Sequence, residues 1–339
     1  MLNQPWKPRT DNKAMTNRIE VGRLKELWRY PVKSMTGNQV HQAVITKNGV
    51  LGDRCWAIKD EAIGELSTVR KIPKLLRFKS AYSEEPTPGK IPPATIELPD
   101  GTLVSSADSD INRKLSEALG KPVSLWPLQP LTNLNHYRLK IPAGAVAMKK
   151  QFATKELPDM SSVTWPLMMQ LAIFATPPGR YHDVYPLHLL TSGSLAKLKQ
   201  ITPDGDFRVE RFRPNLFIET PQDNIDFNEF GWVDGKLFIG DTVLKVVSRT
   251  VRCSMPAQPQ VTIKKDAKVL RTLEAHTQRH LGVNISVIKP GNIRVGDLVS
   301  FEAANRSAVS QYVNAMSSKL RNKAIQNSFK LIDKISKQH

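Results

Sequence analysis

From Val21 onward the chain alternates short runs of branched and aromatic residues with breaks at Gly, Pro and Asn. GRLKELWRYPV (22–32), VHQAVIT (40–46) and LGDRCWAIKD (51–60) are each short and rich in strand formers, so each predicts a strand. Pro31 closes the first and places Lys33 and Ser34 in a loop. ATIELPDGTLVSS (94–106) reads as a hairpin, because Asp100-Gly101 supplies the positive φ of a tight turn. In the next segment Ile111, Leu115 and Leu119 share one helical face, with Ser109 or Asp108 as cap and Gly120 and Pro122 as the stop.

The pattern breaks over 122–135, and 136–186 reads as an irregular, proline-studded wrapping segment. Beyond it the spacing predicts a capped helix at 191–202 and a strand over 207–220 interrupted at Pro214. Two strands follow over 231–253, around Asp234-Gly235 and Gly240-Asp241. A helix is expected from an Asp266 cap to Gly282, then a last strand pair over 292–302 turning at Gly296-Asp297. Residues 1–20 are polar and aperiodic, a loose tail. In 301–339 seven Lys/Arg face two acidic residues, and Val309, Val313, Met316, Leu320, Phe329 and Ile332 fall near helical spacing. That predicts a basic amphipathic helix, either docked or solvated, with a membrane surface or an acidic partner as the alternatives.

Many short strands and few helices argue for a mainly β (α+β) protein built on barrels rather than a doubly wound sheet. The boundaries expected are a tail at 1–20, a smaller domain at 21–130, a larger one at 136–300 and the helix at 301–339.

Composition narrows this picture. Of 339 residues 40% are hydrophobic and 24% charged, which leaves ample apolar content for a core. No run reaches the ~18 apolar residues of a membrane span. The first twenty residues lack the apolar stretch of a secretory signal; Arg9, Lys13 and Arg18 leave an organelle-targeting peptide open, with Asp11 and Glu20 weakly against it. With only Cys55 and Cys253, the chain is no disulfide scaffold and suits a reducing, cytoplasmic setting. Two cysteines also exclude an ordinary four-ligand iron–sulfur cluster within the chain. The net charge of +18 calls for anionic company: nucleic acid, an anionic cofactor or an acidic protein.

The chemistry concentrates in VVSRTVRCSMPAQPQ (246–260), a strand running into a proline-rich loop. Cys253 sits at the transition with Arg252 beside it. A neighbouring guanidinium favours the thiolate, the form that binds soft metals or attacks electrophiles. From this stretch alone the commoner reading of such a cysteine is a small buried hydrophobe.

Seven pieces set this cysteine in context: YPVKS (30–34), GDRCW (52–56), DVYPLHLLT (183–191), RFRPN (211–215), the W-x-x-x-x-L-x-I-G run (232–240), TVRC (250–253) and IRVGD (293–297). In that order, residues 21 to about 300 resemble the MOSC superfamily, named for the molybdenum-cofactor sulfurase C-terminal domain, preceded by its N-terminal β-barrel partner. The resemblance implies a MOSC β-barrel domain after a smaller N-terminal β-barrel-type domain, with few peripheral helices. It further implies a pterin-based molybdenum cofactor whose metal is bound by Cys253. By the same resemblance Arg54 and Arg213 contact the cofactor, Lys33 and Ser34 match the PVKS contacts, and Asp183 and Asn215 are further polar ligands of pterin or phosphate. Arg252 would hold the thiolate deprotonated. Cys55 has no matched role and reads as core.

The chain departs from that family in two respects. Val184, Tyr185 and Val251 stand where better-known members carry small hydroxyl residues, which makes that wall less polar. Where some bacterial members append a ferredoxin domain, residues 301–339 carry no cysteine, so an external electron supply is expected. His182 and His188 read as core or surface histidines, with proton relay as the alternative.

Three functions follow. The resemblance implies a molybdenum-cofactor-dependent oxidoreductase that reduces N-hydroxylated substrates. Its electrons would come from an external acidic flavoprotein, ferredoxin or small haem protein. The second is a cofactor or sulfur carrier using a Cys253 persulfide. The third, nucleic-acid binding, rests on charge alone, and no recognition motif supports it.

Overall fold

Residues 18–141, 143–152, 155–157, 165–304, 320 and 322–334 are described by the computed structural model of the chain. Seven strands close into one barrel: β1 (Arg18–Arg29), β2 (Leu187–Thr191), β3 (Leu216–Glu219), β4 (Lys236–Ile239), β5 (Thr242–Val251), β6 (His280–Lys289) and β7 (Leu298–Glu302). The order around the ring is β3-β2-β6-β5-β4-β7-β1, and β1 pairs back onto β3. All pairs are antiparallel except β2 with β3. That parallel pair requires a crossover. It contains the helix Ser192–Ile201, whose cap Thr191 accepts from Ser194 N at 3.2 Å.

Alternation along these strands puts Leu24, Leu27, Leu189, Leu216, Ile239 and Val283 inside, each with 0% exposure. The barrel is therefore a packed core rather than a channel. Its closure is non-local, with Leu27 opposite Leu216 and Ile19 opposite Phe301. Residues 18–20 of the expected tail belong instead to β1, held by β7, and residues 1–17 lie outside the described residues.

The N-terminal lobe consists of small antiparallel sheets. Trp56–Asp60 pairs with Val123–Pro127 and Glu65–Leu66, and Ala94–Glu97 with Lys79–Tyr82 and Leu103–Ser105. The last pair is the hairpin expected at Asp100-Gly101, with Gly101 at φ +88°. A second core of Val32, Ile58, Phe78, Ile96 and Leu115 fills this lobe. Leu115 comes from α1 (Ile111–Leu119), which ends at Gly120 in the left-handed region. Its N-cap position is Asp110, while the expected cap Asp108 instead accepts from Ser105 N.

Other expectations change. Residues 209–212 form a 3-10 turn and the strand begins only at Leu216, because Arg213 adopts a left-handed conformation before Pro214. The helix expected to reach Gly282 spans Ala267–Thr277. Gln278 and Arg279, both at positive φ, turn the chain into β6. Gly291–Arg294 and β7 do not pair with each other: the first joins Gln42–Thr46, the second β1 and β4. Within 136–186 lie α2 (Ala145–Phe152) and α3 (Trp165–Ile173). In α3, WPLMMQLAI is apolar nearly all round, so no helical stripe is visible in the sequence. Phe301 and Glu302 end β7, so the C-terminal helix starts later than 301. Its described part is α6, residues 322–334. Val309, Val313 and Met316 lie outside the described residues.

Candidate functional site

The end of β1 and the starts of β2 and β3 meet on one rim of the barrel, where the N-terminal lobe is joined on. The chain leaves β1 through Tyr30–Met35, crossing over the turn at 51–55. Arg54 N donates to Tyr30 O at 2.7 Å and Lys33 N to Trp56 O at 2.7 Å. These backbone bonds bring YPVKS and GDRCW together.

Asp53, its side chain wholly buried, is the hub. Its carboxylate accepts from Tyr30 N at 2.7 Å, from Asn215 Nδ2 at 3.2 Å and from the Arg54 guanidinium. Burial alone would raise this carboxyl. The Arg54 guanidinium above all, with the Tyr30 N–H, holds it below its usual range. The Tyr30 ring carries two guanidiniums, Arg213 at 4.2 Å and Arg54 at 5.1 Å from its centroid. Its hydroxyl donates to Pro214 O at 2.9 Å, and burial raises its pKa so that the phenol stays neutral.

Lys33, 4% exposed, donates to Tyr181 O at 2.8 Å and to Asp183 Oδ1 at 2.5 Å. Burial lowers its pKa, with Asp183 opposing. Asp183 is crowded by protein yet keeps 67% of its side chain open to solvent, as at the mouth of a recess. That crowding would raise its carboxyl, but Lys33, Arg70 and Arg54 more than reverse the effect. The Ser34 hydroxyl accepts from Val69 N at 3.1 Å, which leaves its proton free to donate.

Asn215 is engaged inside the protein. Its amide donates to Asp53 and to Trp28 O and accepts from His188 N at 3.3 Å, all at 1% exposure. With those bonds made inside the protein, its amide holds Asp53 in place. Arg252 is also turned inward. It donates to Phe212 O at 2.7 Å and approaches His188 Nε2 at 3.3 Å. Burial pushes it down to about 10, still a cation at neutral pH. Its anchor is the carbonyl preceding Arg213, so the strand end bearing Cys253 adjoins the cluster. Cys253 is half-buried. Cys55 is also half-buried, and burial pushes its thiol up to about 11.

Among the described residues, three of the six non-glycine residues at positive φ are Ser34 (72°), Arg54 (50°) and Arg213 (50°). Such conformations cost on the order of 1–3 kcal/mol each and concentrate where side chains must be aimed. Charge is also out of balance. Lys33, Arg54, Arg70, Arg213 and Arg252 crowd two carboxylates, Asp53 and Asp183. Among the described residues the Arg213 guanidinium makes one hydrogen bond, to Met35 O, the Arg54 guanidinium one, to Asp53, and the Arg70 guanidinium none. The remaining guanidinium N–H groups suit a phosphate or another planar anion. His182, 4% exposed, adds an orphan: Nδ1 has no partner, and Nε2 lies 3.3 Å from Asp53 without hydrogen-bonding geometry. The donor set therefore fits an anionic, heteroatom-rich cofactor beside a thiol.

Sequence reasoning missed Asp53, Tyr30 and Arg70. The first two lie inside the quoted motifs, where a carboxylate next to an arginine was the available signal. Arg70 had none.

Two family models match the chain: the MOSC domain over residues 178–300 and the MOSC N-terminal beta barrel domain over 21–120. Mitochondrial amidoxime reducing component 2 of Rattus norvegicus is 27% identical over 305 residues, covering 83% of this chain and 83% of the relative. Mitochondrial amidoxime-reducing component 1 of Mus musculus is 27% identical over 309 residues, covering 83% and 82%. Among solved structures, the YUAD protein from Bacillus subtilis aligns with a TM-score of 0.38 at 10% identity, covering 85% of this chain and 99% of that one. That likeness is too loose to support an argument.

Proposed function

Because the chain belongs to the MOSC-domain proteins, with the N-terminal β-barrel domain ahead of the MOSC domain, we propose that it is a molybdenum-cofactor-dependent oxidoreductase reducing N-hydroxylated substrates. The curated relatives named above are amidoxime-reducing components, which supports that substrate class. The observation that carries the reading is the rim itself, five cationic groups around two carboxylates with unused guanidinium donors. Buried positive charge in such excess is costly until an anion neutralises it.

A bound pterin molybdenum cofactor would supply two-electron redox chemistry at its metal. The chain would hold it. Arg54 and Arg213 would grip its anionic groups, while Arg70 and the Ser34 hydroxyl would add donors. Cys253 would give the metal a protein sulfur. Asp53, Tyr30 and Asn215 would fix the arginines, and Lys33 would keep Asp183 ionised at the mouth. For an amidoxime the balance is one N–O bond broken, two electrons and two protons taken up, and amidine and water formed. The electrons would come from an external acidic carrier (a flavoprotein, ferredoxin or small haem protein) drawn by the +18 charge. No helix among the described residues is long and apolar enough to cross a membrane.

Cys253→Ala is the test. The variant, loaded and folded, is expected to lose N-reduction entirely. Normal turnover would end the proposal, and cyanide-releasable sulfur on the parent with no turnover would favour the persulfide carrier instead.

A further inference from the structure

Described residues of two stretches that neither family model covers, 121–177 and the chain beyond 300, pack against each other and against Cys253. Ile325 and Phe329 of α6, both at 0% exposure, form one cluster with Ala145 and Met148 of α2 and Ala172 of α3. Cys253, Val251 and Ile332 pack against that cluster half-buried. The register of α6 is specific. Asp333 Oδ2 accepts from Val146 N in the first turn of α2 at 2.9 Å, and a Cβ on Gly144 would meet Asp333 Oδ1 at 2.0 Å. Lys323, Lys330 and Lys334 face outward, which accounts for the amphipathic pattern of the segment.

Cys253 thus lies between unlike surroundings. The arginines of the rim adjoin it through Arg252, whereas among the described residues of α2, α3 and α6 it packs against an apolar cluster. We propose that this three-helix cap is the substrate wall of the site, selecting N-hydroxylated compounds with uncharged, apolar bodies. This rests on the reductase reading above. The reacting N–OH group is small and polar, so discrimination must come from the rest of the molecule. An apolar wall gains by apolar contact and leaves charged bodies unsolvated.

The test uses the full-length chain and the variants Ile332→Ser and Phe329→Ala, the first half-buried and so tolerated even where the second fails to fold. In molybdenum-loaded protein, benzamidoxime and formamidoxime share the reacting group and differ only in body. The preference for benzamidoxime in kcat/KM is expected to fall about tenfold, with the change in KM. Independently of turnover, cofactor-free protein is labelled with N-phenylmaleimide and with iodoacetamide. Peptide mass spectrometry separates Cys253 from Cys55. The rate ratio of aromatic to small reagent at Cys253 is expected to fall at least about threefold in both variants, by the same loss of apolar contact. Ratios that stay constant or rise overturn the wall. A falling labelling ratio with no turnover by the loaded parent keeps the wall and refutes the reductase. Turnover with neither ratio shifted refutes the wall alone.

Discussion

Inside the barrel Leu24, Leu189, Leu216 and Val283 are wholly buried and apolar, and the backbone beside them is paired strand to strand. At the rim Lys33, Asp53 and Arg213 are nearly as buried, at 4%, 5% and 7%, but they carry charge. The interior gains free energy from every residue placed there, roughly 25 cal/mol per Å² of apolar surface removed from water. The rim loses it through desolvated cations and left-handed backbone. It persists because the barrel and the lobe over-determine its geometry. The difference teaches that stability and chemistry occupy separate layers, which can be perturbed separately.

The largest effect is expected where the layers touch. Asp53→Ala leaves Arg54 and Asn215 without their shared acceptor and should cost about 3–5 kcal/mol in urea unfolding, with cofactor binding lost as well. A variant of parental stability would show that the hub is not structural. Leu216→Ala should cost about 2–5 kcal/mol through the cavity it leaves, while the protein that remains folded keeps its full cofactor affinity. Loss of that affinity would mean that the layers are not separable.

The smallest effect is a pH response of the cofactor-free protein. Burial, as its first cause, lowers the pKa of both His182 and His188. Below about 6.5 the unfolded chain binds protons that these folded imidazoles refuse, so stability must fall as pH falls. The loss should approach about 1 kcal/mol per histidine per pH unit, and His188→Gln should flatten it. A flat profile from pH 7 to 5 would contradict the neutral assignment.

Local patterning made much of this readable. The Asp100-Gly101 hairpin, the Thr191 and Asp266 caps and the strand ending before Cys253 each depend on a few neighbouring residues. The barrel's closure depends on Leu27 finding Leu216 and Ile19 finding Phe301, pairings that no local pattern encodes. At the site, motif order singled out the cations, because arginines and lysines stand out in sequence. It could not show that Asn215 is consumed by Asp53, since an amide's partners are decided by folding. Nor could it show the cap: α3 is apolar on nearly all sides, and the partner of Phe329 lies about 160–180 residues earlier in the chain.

The account's central claim is that the rim's excess positive charge exists to hold an anionic molybdenum cofactor. The most direct test is the molybdenum and pterin content of protein purified from a host that makes molybdopterin, parent against Arg213→Gly. Glycine accepts the φ of +50° at position 213 and removes one buried cation, so the variant's stability should stay within about 1 kcal/mol of the parent. The prediction is close to one molybdenum and one pterin per parent chain, with occupancy at least about tenfold lower in the folded variant. A parent that carries neither, or a variant that carries as much as the parent, would contradict it.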